Sequence, residues 1–137
     1  MSNYTNKEKK IIKQCHEGPF HTLITEITLS EFNDLVEKLI KDDEADTLIS
    51  LVAIYWEYNR NKIIDYFIEK GNLELLIGLL DYCNDFSTPN NELDQKYVVD
   101  KLLGKNDKKF IKDFLDSNSI YFLKDINEKE RLIKFIS

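Results

Sequence analysis

Apolar side chains recur along the chain at intervals of three and four residues, with polar side chains between them. From Phe32 to Ile40 they occupy positions i, i+3, i+4, i+7 and i+8, which is the spacing of one face of an α-helix. Thr28 and Glu31 precede this run at the spacing of a capping box, in which each side chain binds a backbone N–H group of the other residue. The pattern therefore predicts an amphipathic helix that begins just after Thr28.

Comparable patterns follow along most of the chain. An opening helix ends at Gly18-Pro19, and Gly71 and Gly104 stand where two later helices are expected to end. Asn106 stands where the helix after Gly104 is expected to begin. Further helices are predicted over residues 44–58, 61–70, 72–83, 88–103, 106–115 and 127–136. Residues 20–27 suit either a helix or a short extended segment.

Four of the predicted helices share a pattern of two apolar residues, two mainly polar ones and further apolar ones. The copies begin at Leu35, Ile63, Val98 and Leu132, at intervals of 28, 35 and 34 residues. Such intervals are typical of stacked helix pairs, each too small to bury its own apolar face. The sequence predicts an all-α single domain over residues 1–137, an irregular helical-repeat array of HEAT-like or ankyrin-like pairs with about seven to eight helices. An ordinary helical bundle is the alternative.

Composition agrees with a helical chain and excludes several other classes. Four Gly and two Pro among 137 residues provide few of the turns that an all-β fold requires. No apolar run approaches the length of a membrane span, and residues 1–10 lack the apolar core of a signal peptide. We therefore expect a soluble, cytoplasmic protein. Cys15 and Cys83 fit no disulfide or zinc pattern and are expected to be small buried side chains.

The net charge of −6 is unevenly distributed along the chain. Residues 34–58 contain seven acidic and two basic residues, whereas residues 105–137 contain six acidic and eight basic ones. An acidic central segment repels nucleic-acid phosphates and attracts basic proteins. Because Arg60 and Arg131 are the only arginines, the chain has few guanidinium groups for a bidentate grip on phosphate. These features argue against nucleic-acid binding and favour a basic protein partner.

Acidic and aromatic residues of the central third are the candidate partner-binding residues. The acidic run that begins at Asp42 lies at the predicted start of the 44–58 helix, where it either stabilises the helix dipole or presents charge to a partner. Trp56 is expected in the core. The candidate interface comprises Asp42, Asp43, Glu44, Asp46, Glu57, Tyr58, Asp65, Glu69, Asp81, Tyr82, Asp85 and Phe86.

Residues suited to catalysis or to holding a cofactor are sparse. His16 and His21 are the only histidines, and no metal-binding motif, nucleophile motif or glycine-rich phosphate loop accompanies them. The sequence therefore predicts no catalytic residue, no cofactor and no metal site, in a protein that is not an enzyme. An enzymatic alternative would depend on His16, Glu17 and His21 beside Gly18-Pro19.

The stretch from Leu48 to Cys83 resembles bacterial immunity proteins of polymorphic toxin and contact-dependent growth inhibition systems, in particular a helical group with a Trp-centred helix pair. Trp56 ends an apolar helix, and the pair Ile63-Ile64 opens the next one, as in that group. The residues between them differ from its pattern. The resemblance implies a cytoplasmic protein that binds and neutralises a cognate basic toxin domain, often a nuclease. An adaptor for another cellular protein is the alternative.

Overall fold

The structure is a computed structural model that describes residues 3–17, 25–55, 58, 60–85, 91–118 and 126–137, of which 81–85, 91–94 and 118 are described by their backbone alone. These ranges contain eight α-helices and no β-strand, which confirms the predicted all-α fold for this part of the chain. The chain divides into two compact units, Met1–Ile63 and Ile64–Ser137. The helices are α1 (Asn6–Glu17), α2 (Leu29–Lys41), α3 (Ala45–Ile54), α4 (Asn61–Lys70), α5 (Leu73–Asp85), α6 (Asn91–Lys105), α7 (Lys108–Asn118) and α8 (Ile126–Ile136).

In the first unit, α3 packs against both α1 and α2. It is apolar around most of its circumference, as predicted, and Leu48 and Leu51 are fully buried. Ile11 and Cys15 of α1 are also buried, so the prediction for Cys15 is confirmed. Burial raises the pKa of the Cys15 thiol to about 12. The core residues of α2 are those that its spacing predicts: Phe32, Leu35, Val36 and Leu39.

Capping boxes begin α1 and α2. The predicted box is confirmed, because the Thr28 hydroxyl accepts a hydrogen bond from the Glu31 N–H at 3.1 Å and Glu31 accepts one from the Thr28 N–H at 2.9 Å. Thr5 and Glu8 form the same pair of bonds at the start of α1, at 3.0 and 2.8 Å. Each box satisfies two backbone donors that the first helical turn would otherwise leave unpaired.

The helix predicted over residues 44–58 ends earlier than expected, at Ile54. The next residue, Tyr55, leaves the helical conformation, and its hydroxyl donates to the carbonyl of Thr25. The Tyr58 hydroxyl donates to the carbonyl of Ile27. These bonds hold residues 25–27, which are neither helix nor strand, whereas residues 20–24 lie outside the described part of the chain.

In the second unit, α8 packs against α6 and α7, and α7 packs against α5. Three copies of the repeated pattern bury their first two apolar residues, but the fourth does not: Leu132 is buried and Ile133 is 44% exposed. The second apolar position of the fourth copy therefore lies outside the core. The core of this unit contains Phe67, Leu76, Leu79, Leu80, Val98, Val99, Leu102, Ile111, Phe114 and Leu132.

Two predicted helix ends have different outcomes. Gly71 has a φ of 71° and its N–H bonds to carbonyls in the last turn of α4, so it ends that helix as predicted. Gly104 does not end α6, which continues to Lys105. Asn106, predicted to begin α7, instead has a φ of 58° and follows the end of α6, because Asn tolerates the left-handed region. The side chain of Asp107 caps α7 through the N–H of Phe110, at 3.1 Å.

Candidate functional site

The acidic corner, defined by Asp42, Asp43, Glu44 and Asp46, connects α2 to α3. The N–H groups of Asp42, Asp43 and Glu44 donate to carbonyl groups in the last turns of α2, at 3.0, 3.1 and 2.9 Å. Asp43 has a φ of 58°, a conformation that Asp adopts more readily than most residues. Main-chain hydrogen bonds therefore fix the backbone on which the four carboxylates are carried.

Asp42 has a structural role within this corner. Its Oδ2 accepts a hydrogen bond from the Tyr4 hydroxyl at 2.6 Å, and the residue is half-buried. Burial, followed by this bond and the negative charge of Asp42, raises the pKa of the Tyr4 hydroxyl above its ordinary value. The Asp42 carboxylate therefore fastens the segment before α1 to the corner.

Glu44 and Asp46 are exposed carboxylates at the start of α3. Glu44 occupies the N-cap position, but its side chain makes no capping hydrogen bond. Asp46 lies in the first turn, where a negative charge interacts favourably with the helix dipole. Among the described residues, neither carboxylate has a hydrogen-bond or ion-pair partner. The helix-dipole interpretation of the acidic run thus suits Glu44 and Asp46, at the start of α3, whereas Asp42 has a different structural role in its hydrogen bond with Tyr4.

Three lysines of the first unit form ion pairs with glutamates outside the acidic corner. The nearest N–O distances are 2.9 Å for Lys7–Glu31, 2.7 Å for Lys38–Glu8 and 2.7 Å for Lys62–Glu37. Residues 41–46, by contrast, contain four acids and one base. The corner therefore carries a concentration of negative charge that these lysines do not neutralise.

Tyr58, predicted at the rim of an interface, is half-buried against other aromatic rings. Its ring centroid lies 5.0 Å from that of Phe32 and 6.2 Å from that of Tyr55. Because its hydroxyl already donates to the Ile27 carbonyl, Tyr58 contributes chiefly to the packing of its own unit.

Asp65 and Glu69 lie in the second unit, one turn apart on α4, and line a cavity of about 440 Å³ between α4 and α6. Asp65 accepts hydrogen bonds from the Tyr97 hydroxyl at 2.8 and 3.0 Å and lies 3.6 Å from the Lys101 ammonium. Burial and then the bond to Asp65 raise the pKa of Tyr97 to about 12. Glu69 is exposed. We call this cavity the α4–α6 groove; its lining residues are Asp65, Ile68, Glu69, Lys101, Gly104 and Lys105.

Several residues of the groove are not predicted from the sequence. The pattern of residues gives Lys101 and Lys105 no role beyond their charge, and it predicts a helix end at Gly104. A signal for the groove is nevertheless present in the sequence. Asn106 can end α6 by itself, so the conformational freedom of Gly104 is not needed to end that helix. Lys101, Gly104 and Lys105 follow the spacing i, i+3, i+4, which places them on one face of α6.

The remaining predicted interface residues lie where side chains are not described. Asp81, Tyr82 and Asp85 belong to the final turns of α5, of which the structure describes only the backbone. Glu57 and Phe86, together with the predicted core residue Trp56, lie outside the described residues.

The residues of the enzymatic alternative are only partly described. His16 is exposed at the end of α1, and Glu17 lies 3.7 Å from Lys13, one turn away. His21 and Gly18-Pro19 lie outside the described ranges. Within those ranges, no three His, Cys, Asp or Glu side chains cluster closely enough to hold a metal ion. None of the helices described is both long and apolar enough to cross a membrane.

Comparison with known proteins gives no match to a protein-family model, to a curated protein or to a solved structure.

Proposed function

We propose that this protein is a non-enzymatic immunity protein, which binds a cognate basic toxin domain of the nuclease class in the cytoplasm and neutralises it. The observation that carries the proposal is the acidic corner, where Glu44 and Asp46 are exposed and have no partner among the described residues. The resemblance of residues 48–83 to helical immunity proteins supports the same function.

The physical argument concerns charge that is fixed in place before binding. A nuclease needs a positive cleft for its polyanionic substrate, and a cluster of carboxylates on another protein can occupy or cover such a cleft. Because hydrogen bonds already set the backbone of the corner, little conformational entropy would be lost on binding. Long-range attraction would also accelerate association. Fast association suits a protein that must bind the toxin before the toxin binds its substrate.

The first experiment is capture of a partner from the native cells with the tagged full-length protein, followed by mass spectrometry. We expect a single basic toxin domain that is held at low salt and released at high salt. The purified protein should then inhibit the activity of that domain. An active toxin domain that is bound but not inhibited would contradict the immunity function. A housekeeping protein as the specific partner would favour the adaptor alternative instead.

A pair of triple variants tests the place of binding. Asp43→Asn, Glu44→Gln and Asp46→Asn together remove three charges from the acidic corner. Glu26→Gln, Glu74→Gln and Glu130→Gln remove three charges from exposed positions elsewhere and raise the net charge equally. We expect the corner variant to weaken toxin binding at least about tenfold, and the control variant to weaken it much less. Equal effects of the two variants would exclude the corner as the contact surface.

A further inference from the structure

We propose that the α4–α6 groove is a binding site for a small zwitterionic ligand of the α-amino acid class. This site would be a second function, separate from toxin binding at the acidic corner, because none of its residues belongs to that corner; Asp65 and Glu69, predicted from the sequence as interface residues, would serve the ligand site instead. Four observations support it: the pairing of charges along the groove, a carboxylate without a partner among the described residues, a glycine without a structural requirement, and the volume of the groove.

The groove is formed by two matching helical faces. On α4 and on α6, its lining residues follow the spacing i, i+3, i+4, which places each set on one side of its helix. Asp65 and Lys101 are 3.6 Å apart, and Asp65 also accepts hydrogen bonds from Tyr97. The charges of this first pair therefore satisfy each other.

Glu69 and Lys105, the other two charged residues of the groove, do not form an ion pair with each other. Glu69 makes no hydrogen bond or ion pair with a described residue. The Lys105 ammonium lies 5.4 Å from the centroid of the Phe110 ring and 3.7 Å from the position that a Cβ at Gly71 would occupy. An anion and a cation thus line the same cavity without forming an ion pair. A ligand that carries both an ammonium and a carboxylate group would satisfy both.

Gly104 keeps the groove open between the two lysines. A glycine inside a helix costs about 1 kcal/mol relative to alanine. No atom lies within 4 Å of the position that a Cβ at Gly104 would occupy, and its φ is not in the left-handed region. Neither packing nor backbone conformation therefore requires glycine there. Its effect is to leave space beside Lys105.

The size and polarity of the groove define the ligand class. Its volume of about 440 Å³ falls within the range of small-molecule sites. Two acidic and two basic side chains line it, so a simple cation or a simple anion would meet repulsion as well as attraction. Ile68 lines the groove but is only 3% exposed, so the methylene chains of Lys101 and Lys105 supply most of the apolar surface. These features fit an amino acid with an apolar side chain, whose ammonium group would contact Glu69 and whose carboxylate would contact Lys105.

The test is an NMR titration of the ¹⁵N-labelled full chain with L-leucine at millimolar concentrations. We expect the amide signals of Ile68, Glu69, Gly104 and Lys105 to shift. N-acetyl-L-leucine lacks the ammonium group and L-leucinamide lacks the carboxylate, so each should bind at least about tenfold more weakly. Absence of shifts at these amides, or equal binding of all three compounds, would overturn the proposal.

Variants locate the binding groups. Glu69→Gln and Lys105→Met should each weaken L-leucine binding about tenfold, and Gly104→Leu should abolish it by filling the groove. Glu74→Gln and Lys109→Met alter exposed residues outside the groove and should leave the affinity unchanged. Unperturbed amide signals of second-unit residues away from the groove, such as those of α8, would show that each variant is folded. Leucine affinities unchanged by Glu69→Gln and Lys105→Met would also refute the site, without affecting the test of toxin binding at the acidic corner.

Discussion

Glu8 and Glu31 close two capping boxes of the same kind in different surroundings. Glu8 is 7% exposed, whereas the side chain of Glu31 is 41% exposed. Burial acts to raise the pKa of Glu8, but hydrogen bonds from Lys38 and from the Thr5 N–H outweigh it and hold the pKa below its ordinary value. For Glu31, the hydrogen bond from the Thr28 N–H and then that from Lys7 lower the pKa. Loss of the hydrogen-bond partners of Glu8 would therefore cost more free energy than loss of those of Glu31, because the Glu8 carboxylate is buried.

We expect Glu8→Gln to destabilise the protein by about 1–2 kcal/mol near neutral pH, because it removes a charged acceptor from a buried hydrogen-bond group. A carboxylate whose pKa is lowered by folding stabilises the native state above its unfolded-state pKa. That contribution is lost as the pH falls through the lower native value. The difference between wild type and Glu8→Gln should therefore shrink as the pH falls below the ordinary value of 4.5.

Urea unfolding of both proteins at pH 7 and at pH 3 measures this difference. Glu31→Gln is the matched comparison, because the same substitution in the exposed box should have a smaller effect at pH 7. A cost of Glu8→Gln that is equal at both pH values would contradict a native-state charge on Glu8.

A substitution at Tyr58 tests whether this residue serves packing within its own unit or binding of a partner. Tyr58→Phe retains the ring contacts with Phe32 and Tyr55 but leaves the Ile27 carbonyl without its donor. We expect a loss of about 1 kcal/mol in the free energy of unfolding, measured in urea, with toxin affinity unchanged. A weaker complex with undiminished stability would instead place Tyr58 in the interface.

At the scale of helices, the ends are where sequence prediction and structure differ most. The capping box at Thr28 was predictable because both partners are local in sequence. The end of α3 was not, because Tyr55 and Tyr58 bond to carbonyls about thirty residues earlier, and no local pattern encodes that contact. The exposure of Ile133 has a related cause: periodicity gives the face of a helix, but the neighbouring helices determine how much of that face is covered.

We expect substitution by alanine to have opposite effects on stability at Gly71 and at Gly104, the two glycines near helix ends. Gly71 has a φ of 71°, so Gly71→Ala would force a Cβ into the left-handed region and should destabilise the protein by about 1 kcal/mol. Gly104 lies within α6, and a methyl group added there would meet no atom within 4 Å, so Gly104→Ala should stabilise by up to about 1 kcal/mol. Thermal and urea unfolding of both variants would check this pair. A destabilising Gly104→Ala would mean that glycine is required there by the fold, and would remove one support for the groove.

For the whole molecule, the apolar pattern predicted the fold class and the composition predicted the sign of the net charge, but neither predicted which charged side chains are exposed. Of the predicted interface residues with described side chains, the structure assigns Asp42, Tyr58 and Asp65 to bonds within the chain and leaves Asp43, Glu44, Asp46 and Glu69 exposed. That division depends on partners distant in sequence: Tyr4 for Asp42, the Ile27 carbonyl for Tyr58 and Tyr97 for Asp65. A count of charges along the sequence does not reveal these contacts.

The electrostatic origin of toxin binding predicts a particular dependence on salt. Screening shortens the reach of exposed charges to about 8–10 Å near physiological ionic strength, so steering by the acidic corner should act mainly on the association rate. We expect the association rate constant, measured by stopped flow, to fall steeply with added salt for wild type and less steeply for the triple variant at Asp43, Glu44 and Asp46. The control variant at Glu26, Glu74 and Glu130 carries the same net charge, so its salt dependence should stay closer to that of wild type. If both variants flattened the dependence equally, net charge rather than the corner would steer association; a rate independent of salt in wild type would contradict electrostatic steering altogether.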